Sequence, residues 1–153
     1  MSIEKAIHQK KFSSEYEKAV VNIVYTAGWL NARTIQALKP FGISPQQYNV
    51  LRILRGSHPA VVRLADITER MLDKNSNATR LVEKLRQKSL LQREVCSSNR
   101  RQVDICITEK GLELLQRIDA LTHQWIDPVK TMSQEEAKML NTLLDKLRND
   151  DQE

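Results

Sequence analysis

Apolar residues recur at intervals of three and four along most of the chain, the spacing that places them on one face of an α-helix. A first long helix is predicted over 13–38, with apolar positions Val20, Ile23, Val24, Ala27, Leu30 and Leu38. A second helix is predicted after Ser44, because Ser44, Pro45 and Gln47 form a typical capping sequence. Its inward residues are Tyr48, Val50, Leu51 and Leu54, and it is expected to end before Gly56.

The middle of the chain has the order of a helix-turn-helix motif. A β-prone segment, 61–64, precedes a predicted short helix over 65–72, and the polar segment 73–77 predicts a turn. The next predicted helix has an apolar face formed by Ala78, Leu81, Val82 and Leu85. Its predicted outward face carries Ser76, Arg80, Glu83, Lys84 and Gln87.

Two β-strands are predicted next, because apolar and polar residues alternate over 90–96 and 102–108. The intervening "SSNRR" predicts a turn, which makes a hairpin with Arg100 and Arg101 at its tip. Cys96 and Cys106 fall several residues out of register in such a hairpin, so we expect two free cysteines rather than a disulfide.

Helices are predicted again in the last part of the chain. Thr108 is expected to cap a helix whose apolar residues are Leu112, Leu115, Ile118, Leu121 and Trp125, and Pro128 bends or ends it. Ser133 and Glu136 form a second capping box before a helix with apolar residues Ala137, Leu140, Leu143, Leu144 and Leu147. Apolar stripes at both chain ends favour a helical dimer interface that includes Trp29, Leu30, Trp125, Leu140, Leu143 and Leu144.

Positive charge is concentrated in one segment. The chain has a net charge of +5, and residues 74–101 contain eight basic and two acidic residues. That segment therefore carries +6 and the rest of the chain −1, a distribution that favours a polyanionic partner.

The composition argues against several other classes of protein. No apolar run approaches a membrane span, and the N-terminus has no signal-peptide pattern, so we expect a cytoplasmic protein without a membrane partner. The motifs of phosphate-binding loops, serine hydrolases and zinc proteases are not present, so neither an enzyme nor a cofactor is expected. His8, His58 and His123 are scattered, which gives no metal-ligand pattern.

Four segments in this order resemble MarR-type (multiple-antibiotic-resistance regulator) transcription factors: "ISPQQYNVLRIL", "DITERML", "NSNATRLVEKL" and "REVCSSNRRQVDICITEKG". The resemblance runs from about residue 13 to the end and implies a mainly α winged helix-turn-helix fold with a small β-wing. It also implies a homodimer, assembled through 1–40 and 109–153, with a DNA-binding lobe over 41–108. The family usually has Asp where this chain has Asn99, before the wing arginines, so ionic locking of the wing is not implied.

Residue roles follow for double-stranded DNA, since Asn can pair with adenine and Arg with guanine in the major groove. The predicted major-groove residues are Asn75, Ser76, Asn77, Thr79 and Arg80. Lys74 and Lys84 are predicted to bind phosphates, and Arg100 and Arg101 to enter the minor groove. The alternatives are a solvated basic helix face and a hairpin edge that is guarded by charge.

The predicted function is transcriptional regulation at a pseudo-palindromic operator, as a repressor in preference to an activator. The alternative is a winged-helix module for protein contacts without specific DNA binding. The resemblance implies control by a small aromatic or anionic effector, and Trp29, Arg33, Tyr48 and His58 are the candidate pocket residues. Aromatic residues at helical spacing are, however, more often part of a core.

Overall fold

The computed structural model describes residues 1–95, 103–121 and 127–149, and the chain forms two compact units, Met1–Leu121 and Thr122–Glu153. The first unit contains α1 (Ile3–Ala6), α2 (Glu15–Leu38), a 3-10 helix (Lys39–Phe41), α3 (Pro45–Ser57), β1 (Val62–Arg63), α4 (Leu64–Arg70), α5 (Ala78–Gln87), β2 (Leu91–Val95), β3 (Val103–Ile107) and α6 (Glu109–Asp119). The second contains a 3-10 helix (Asp127–Thr131) and α7 (Gln134–Asn149). The fold is mainly α with a small antiparallel sheet, as predicted.

Capping side chains determine where the main helices begin. The Ser44 hydroxyl accepts a hydrogen bond from the Gln47 N–H at 3.2 Å, and Gln47 Oε1 accepts one from the Ser44 N–H at 3.0 Å. The reciprocal pair at Ser133 and Glu136 is also present. Thr108 caps α6 by accepting from the Gly111 N–H at 3.1 Å. These three predicted caps are therefore confirmed.

The core of the first unit lies around α3, which packs against α2, α4, α5, α6 and β3. Fully buried side chains come from each of these elements and from β2: Leu38, Val50, Leu51, Leu54, Ile67, Met71, Leu85, Leu91, Ile105, Leu115 and Ile118. Each such side chain stabilises the fold by about 1.5–3 kcal/mol relative to an exposed position. This core therefore joins the segment 41–108 to the end of α2 and to α6 in one compact unit.

The sheet has the strand order β1-β3-β2 and is antiparallel. The predicted hairpin pairs Leu91 with Ile107 and Arg93 with Ile105, while β1 adds a third strand in which Val62 pairs with Ile105. This register places Cys106 opposite Gln92, and Cys96 lies outside the described residues.

Three helix ends differ from the prediction. Helix α3 continues through Gly56 to Ser57, because it is Pro59 that disfavours helical geometry at the preceding His58 (ψ 135°). Helix α4 ends at Arg70, where an extended Met71 buries its own side chain and leaves Leu72 87% exposed. Helix α6 ends at Asp119 instead of continuing to Trp125, and Trp125 lies outside the described residues.

Two helices expose apolar faces within their own units. Helix α2 has one buried residue, Leu38, in its 24 residues, and its exposed large apolar residues are Tyr16, Val20, Ile23, Val24, Tyr25, Trp29 and Ile35. Helix α7 has no buried residue and exposes Met139, Leu140, Leu143 and Leu147. Within the described part of the chain, no helix combines the length and apolarity needed to cross a membrane.

Candidate nucleic-acid interface

The turn between α4 and α5 is held by local hydrogen bonds. The Asp73 carboxylate accepts from the Asn75 N–H at 3.0 Å, and the Asp73 carbonyl accepts from the Ser76 N–H at 3.1 Å. Asn49 of α3 accepts from the Leu72 N–H at 2.9 Å through its side-chain oxygen. Asn77 is the N-cap of α5 and accepts from the Arg80 N–H at 3.0 Å. Asn75 and Ser76 therefore lie in the turn before the helix.

Helix α5 has one buried face and one charged face. Ala78, Val82 and Leu85 are buried, whereas Arg80 and Lys84, one turn apart, are exposed. Neither of these two basic side chains forms an ion pair with another described residue.

The acidic residue of α5 does not offset the charge of Arg80 and Lys84. The Arg86 guanidinium donates to both carboxylate oxygens of Glu83, at 3.0 and 2.8 Å, and lowers the pKa of Glu83. Since Glu83 is neutralised by Arg86, the outward face of α5 keeps a net positive charge.

A cleft of about 400 Å³ opens at the start of α5. It is lined by Gln46, Asp73, Asn75, Ser76, Asn77, Arg80, Leu81 and Lys84. It brings together four of the five residues predicted for the major groove and one of the two predicted phosphate contacts. Thr79, the fifth, is exposed but does not line it. The sequence does not predict that Gln46 lines this cleft. Gln46 lies among the capping residues of α3, and nothing in the sequence indicates that it is close to the start of α5.

In two of the residues predicted to contact DNA, Ser76 and Lys74, the polar group is buried or hydrogen-bonded to the backbone. Ser76 was expected on the outward face, but its hydroxyl oxygen is buried and has no hydrogen-bond partner among the residues described. Lys74 Nζ donates to the Glu69 carbonyl near the end of α4. Arg100 and Arg101, the predicted minor-groove residues, lie outside the described residues.

A second cleft, of about 530 Å³, lies at the base of the hairpin. It is lined by Arg86, Ser89, Leu91, Gln92, Arg93 and Thr108. Arg93 is exposed and has no ion pair within the described ranges. The exposed positive charge therefore continues from α5 onto β2. The sequence places Arg93 in the basic segment but predicts no DNA contact for it.

The four residues predicted to line an effector pocket do not form one group: Trp29 and Arg33 are close together, and Tyr48 and His58 lie elsewhere on α3 and at its end. The Arg33 guanidinium lies 5.1 Å from the centre of the Trp29 ring. Tyr48 is buried beneath Arg52, whose guanidinium lies 5.8 Å from the ring centre, and burial raises the pKa of Tyr48. His58 is exposed at the end of α3. Neither cleft described above is lined by any of the four.

A metal site is not assembled by the described side chains, in which no group of three His, Cys, Asp or Glu residues is placed to hold an ion.

A helix-turn-helix followed by a two-stranded hairpin, with a third strand completing the sheet, defines a winged-helix protein. The sequence model of the MarR family matches residues 43–103, the segment from just before α3 to the first residue of β3. The HTH-type transcriptional regulator MhqR of Bacillus subtilis (strain 168) is 34% identical over 106 residues, covering 67% of this chain and 70% of the relative. The chain therefore belongs to the MarR family and is a transcription regulator with a DNA-binding winged helix.

Other relatives and solved structures agree with this assignment. BilQ of Clostridium symbiosum (strain WAL-14163), also an HTH-type transcriptional regulator, is 37% identical over 71 residues, which cover 46% of this chain and 49% of BilQ. AbsC, a MarR family transcriptional regulator from Streptomyces coelicolor, has a TM-score of 0.79 at 20% identity, with 92% and 97% of the two chains covered. The S. aureus MepR–DNA complex has a TM-score of 0.77 at 20% identity, with 92% and 99% covered. At these identities the structures show the shared fold.

Proposed function

We propose that this protein represses transcription by binding a pseudo-palindromic DNA operator as a homodimer. The observation that carries the proposal is the outward face of α5, where Arg80 and Lys84 are exposed, free of ion pairs within the described residues, and line one cleft with Asn75 and Asn77. An α-helix fits the major groove of B-DNA, and these side chains are of the kinds that contact bases and phosphates there.

The proposed roles follow the geometry of the turn and of α5. Asn75, Asn77, Thr79 and Arg80 contact base edges, and Lys84 contacts a phosphate. The Ser76 hydroxyl is buried, and Lys74 Nζ donates to the Glu69 carbonyl of α4, so the predicted DNA contacts of these two residues require their side chains to turn outward. Arg100 and Arg101 are proposed to enter the flanking minor groove, whose negative potential attracts arginine.

The homodimer is proposed from the exposed apolar faces of α2 and α7. A soluble monomer rarely exposes so many large apolar residues on one helix, and a second copy of the chain would cover them. A two-fold dimer also places two copies of α5 on one side of the duplex, where successive major grooves are about 34–36 Å apart. Because the two copies are related by a two-fold axis, they would read inverted half-sites, which makes the operator pseudo-palindromic.

Release by a small aromatic or anionic effector is proposed as the regulatory step. The effector would favour a dimer in which the spacing of the two α5 helices no longer matches DNA. Trp29 and Arg33 are the candidate residues that are close together. Thermal melting with a panel of phenolic acids tests this step, and no shift in Tm at millimolar concentrations would rule out that class of effector.

The operator hypothesis is tested by selecting duplexes from a random library and measuring affinity by fluorescence anisotropy across a salt series. We expect the selected duplex to bind more tightly than a scrambled one, with an affinity that falls steeply as salt rises. Arg80→Ala should cost about 1–3 kcal/mol and relax the preference at one base pair. Arg148→Ala on α7 removes the same charge and should change little. Equal affinity for selected and scrambled duplexes would instead favour the protein-contact module.

A further inference from the structure

The turn that follows α5, residues 88–90, is hydrogen-bonded to residues 108–110 at the start of α6. Each of the three carbonyl oxygens of this turn accepts one hydrogen bond from 108–110. Lys110 Nζ donates to the Lys88 carbonyl at 3.0 Å, Thr108 Oγ1 to the Ser89 carbonyl at 2.8 Å, and the Thr108 N–H to the Leu90 carbonyl at 3.2 Å. These carbonyls lie beyond the helix and have no intrahelical partner, so the bonds from 108–110 satisfy them in place of water.

The same turn is also attached to the loop before α3. Lys88 Nζ donates to the carbonyl of Gly42, the left-handed residue (φ 66°) between the first 3-10 helix and α3. Ser89 is itself left-handed, with φ 59°, so the chain reverses sharply here. The C-terminal end of α5 is therefore connected both to the loop before α3 and to the start of α6.

Close backbone packing reinforces this connection. A Cβ atom added to Gly111 would lie 2.3 Å from the Leu90 carbonyl oxygen and 2.7 Å from Cγ1 of Ile107. Since no side chain fits at that position, the first turn of α6 lies directly against the turn that ends α5.

We infer that Lys88, Thr108 and Lys110 are positioning residues for DNA recognition, which fix the direction of α5 from its C-terminal end. This inference rests on the proposed function. Lys88 belongs to the basic segment and is exposed like Arg80 and Lys84, but its ammonium group binds a backbone carbonyl. Arg80 lies about 12 Å from Lys88 along the helix, so a tilt of about 5° at this end displaces Arg80 by about 1 Å.

The experiment compares three variants that remove the same charge: Lys88→Met, Lys110→Met and Lys84→Met. Affinity is measured for the selected operator and for a scrambled duplex across a salt series. Lys88→Met and Lys110→Met should each lower operator affinity about fivefold while scrambled-duplex affinity and the salt dependence stay unchanged. Lys84→Met should weaken both duplexes and reduce the salt slope by about one per protomer. Lys88→Arg and Lys110→Arg, which keep a donor, should restore operator affinity.

Hydrogen exchange of residues 85–91 without DNA provides a second readout that is independent of the proposed function. Exchange should accelerate in Lys88→Met and Lys110→Met and remain as in wild type in Lys84→Met. A reduced salt slope in the first two variants, or unchanged exchange, would overturn the inference. Equal binding of both duplexes by the wild type would instead overturn the proposed function. In that case the hydrogen-exchange rates alone would show whether Lys88 and Lys110 hold the C-terminal end of α5.

Discussion

The side-chain oxygen of Asn77 accepts a hydrogen bond of 3.0 Å from the backbone N–H of Arg80, so one proposed base contact caps the helix that carries another. This bond satisfies one of the N–H groups that have no partner in the first turn of α5. Stability and the proposed DNA contact therefore involve the same carboxamide.

Substitutions at Asn77 should separate these two roles. Asn77→Ala should lower the free energy of unfolding by about 1 kcal/mol, because the cap is lost. Asn77→Asp keeps a capping oxygen and should preserve stability, but its negative charge should weaken DNA binding. Urea unfolding and fluorescence anisotropy measure the two effects. If Asn77→Asp binds the operator as tightly as wild type, the side chain does not face DNA.

Gly111→Ala should be strongly destabilising, by about 2–3 kcal/mol, since its Cβ would overlap the Leu90 carbonyl oxygen and Ile107. Gly56→Ala is the matched control, because its Cβ would meet only the Arg70 guanidinium, at 3.8 Å. Gly56 is helical, so this change should be neutral or stabilising by up to about 1 kcal/mol. Similar unfolding midpoints for both variants would contradict the close packing of α6 on this turn.

Local signals made much of the fold predictable from the sequence. The capping residues Ser44, Thr108 and Ser133 act on backbone groups three residues away, so their effect can be read without tertiary information. The hairpin was likewise visible, because its two strands are close in sequence and alternate in polarity. Both signals act over short distances along the chain.

Features that depend on distant contacts were not predictable. Pairing of Val62 with Ile105 joins residues far apart in sequence, and so does the contact between Lys88 and Gly42. Charge alone placed Lys88 among the basic residues and could not show that its ammonium binds a carbonyl. The burial of the Ser76 hydroxyl depends on how the turn packs, which the polar composition of that turn does not specify.

The ion pair between Arg55 of α3 and Asp119 of α6 should contribute modestly to stability. The two guanidinium nitrogens of Arg55 lie 2.5 and 3.4 Å from the two carboxylate oxygens of Asp119, and the side chains are 32% and 47% exposed, respectively. A double-mutant cycle with Arg55→Met and Asp119→Asn should give a coupling of about 0.5–1 kcal/mol that decreases in 1 M salt. The more exposed pair of Arg148 and Asp145, within one helix, should give only about 0.3 kcal/mol. A larger coupling for the second pair would contradict this reasoning.

Acid should weaken the attachment of α1 to α2. Lys18 Nζ lies 2.7 Å from the Glu4 carboxylate, and this hydrogen bond is the main cause that lowers the pKa of Glu4 from 4.5 to about 2. Because the pKa is lower in the folded state, the stabilisation is present above about pH 4.5 and is lost as the pH falls towards 2. NMR titration of Glu4 should show this value, and Lys18→Met should raise it. An unchanged pKa in that variant would show that Lys18 is not the cause.

Leu143→Lys should dissociate the proposed homodimer. Leu143 is 56% exposed on α7 in the single chain, and burying the rest of this side chain in an interface contributes about 1–1.5 kcal/mol per protomer. With the cost of bringing two Lys charges into the interface, two copies make a loss of about 3 kcal/mol, which raises the dimer Kd about 100-fold. Thr142→Lys adds the same charge about 100° around α7 from Leu143, on the side away from Leu140 and Leu147, and should leave the dimer intact. Analytical ultracentrifugation measures the mass of each variant, and a dimeric Leu143→Lys with wild-type Kd would show that this face is not the interface. A monomeric Leu143→Lys should also bind the operator more weakly, because it contacts one half-site at a time.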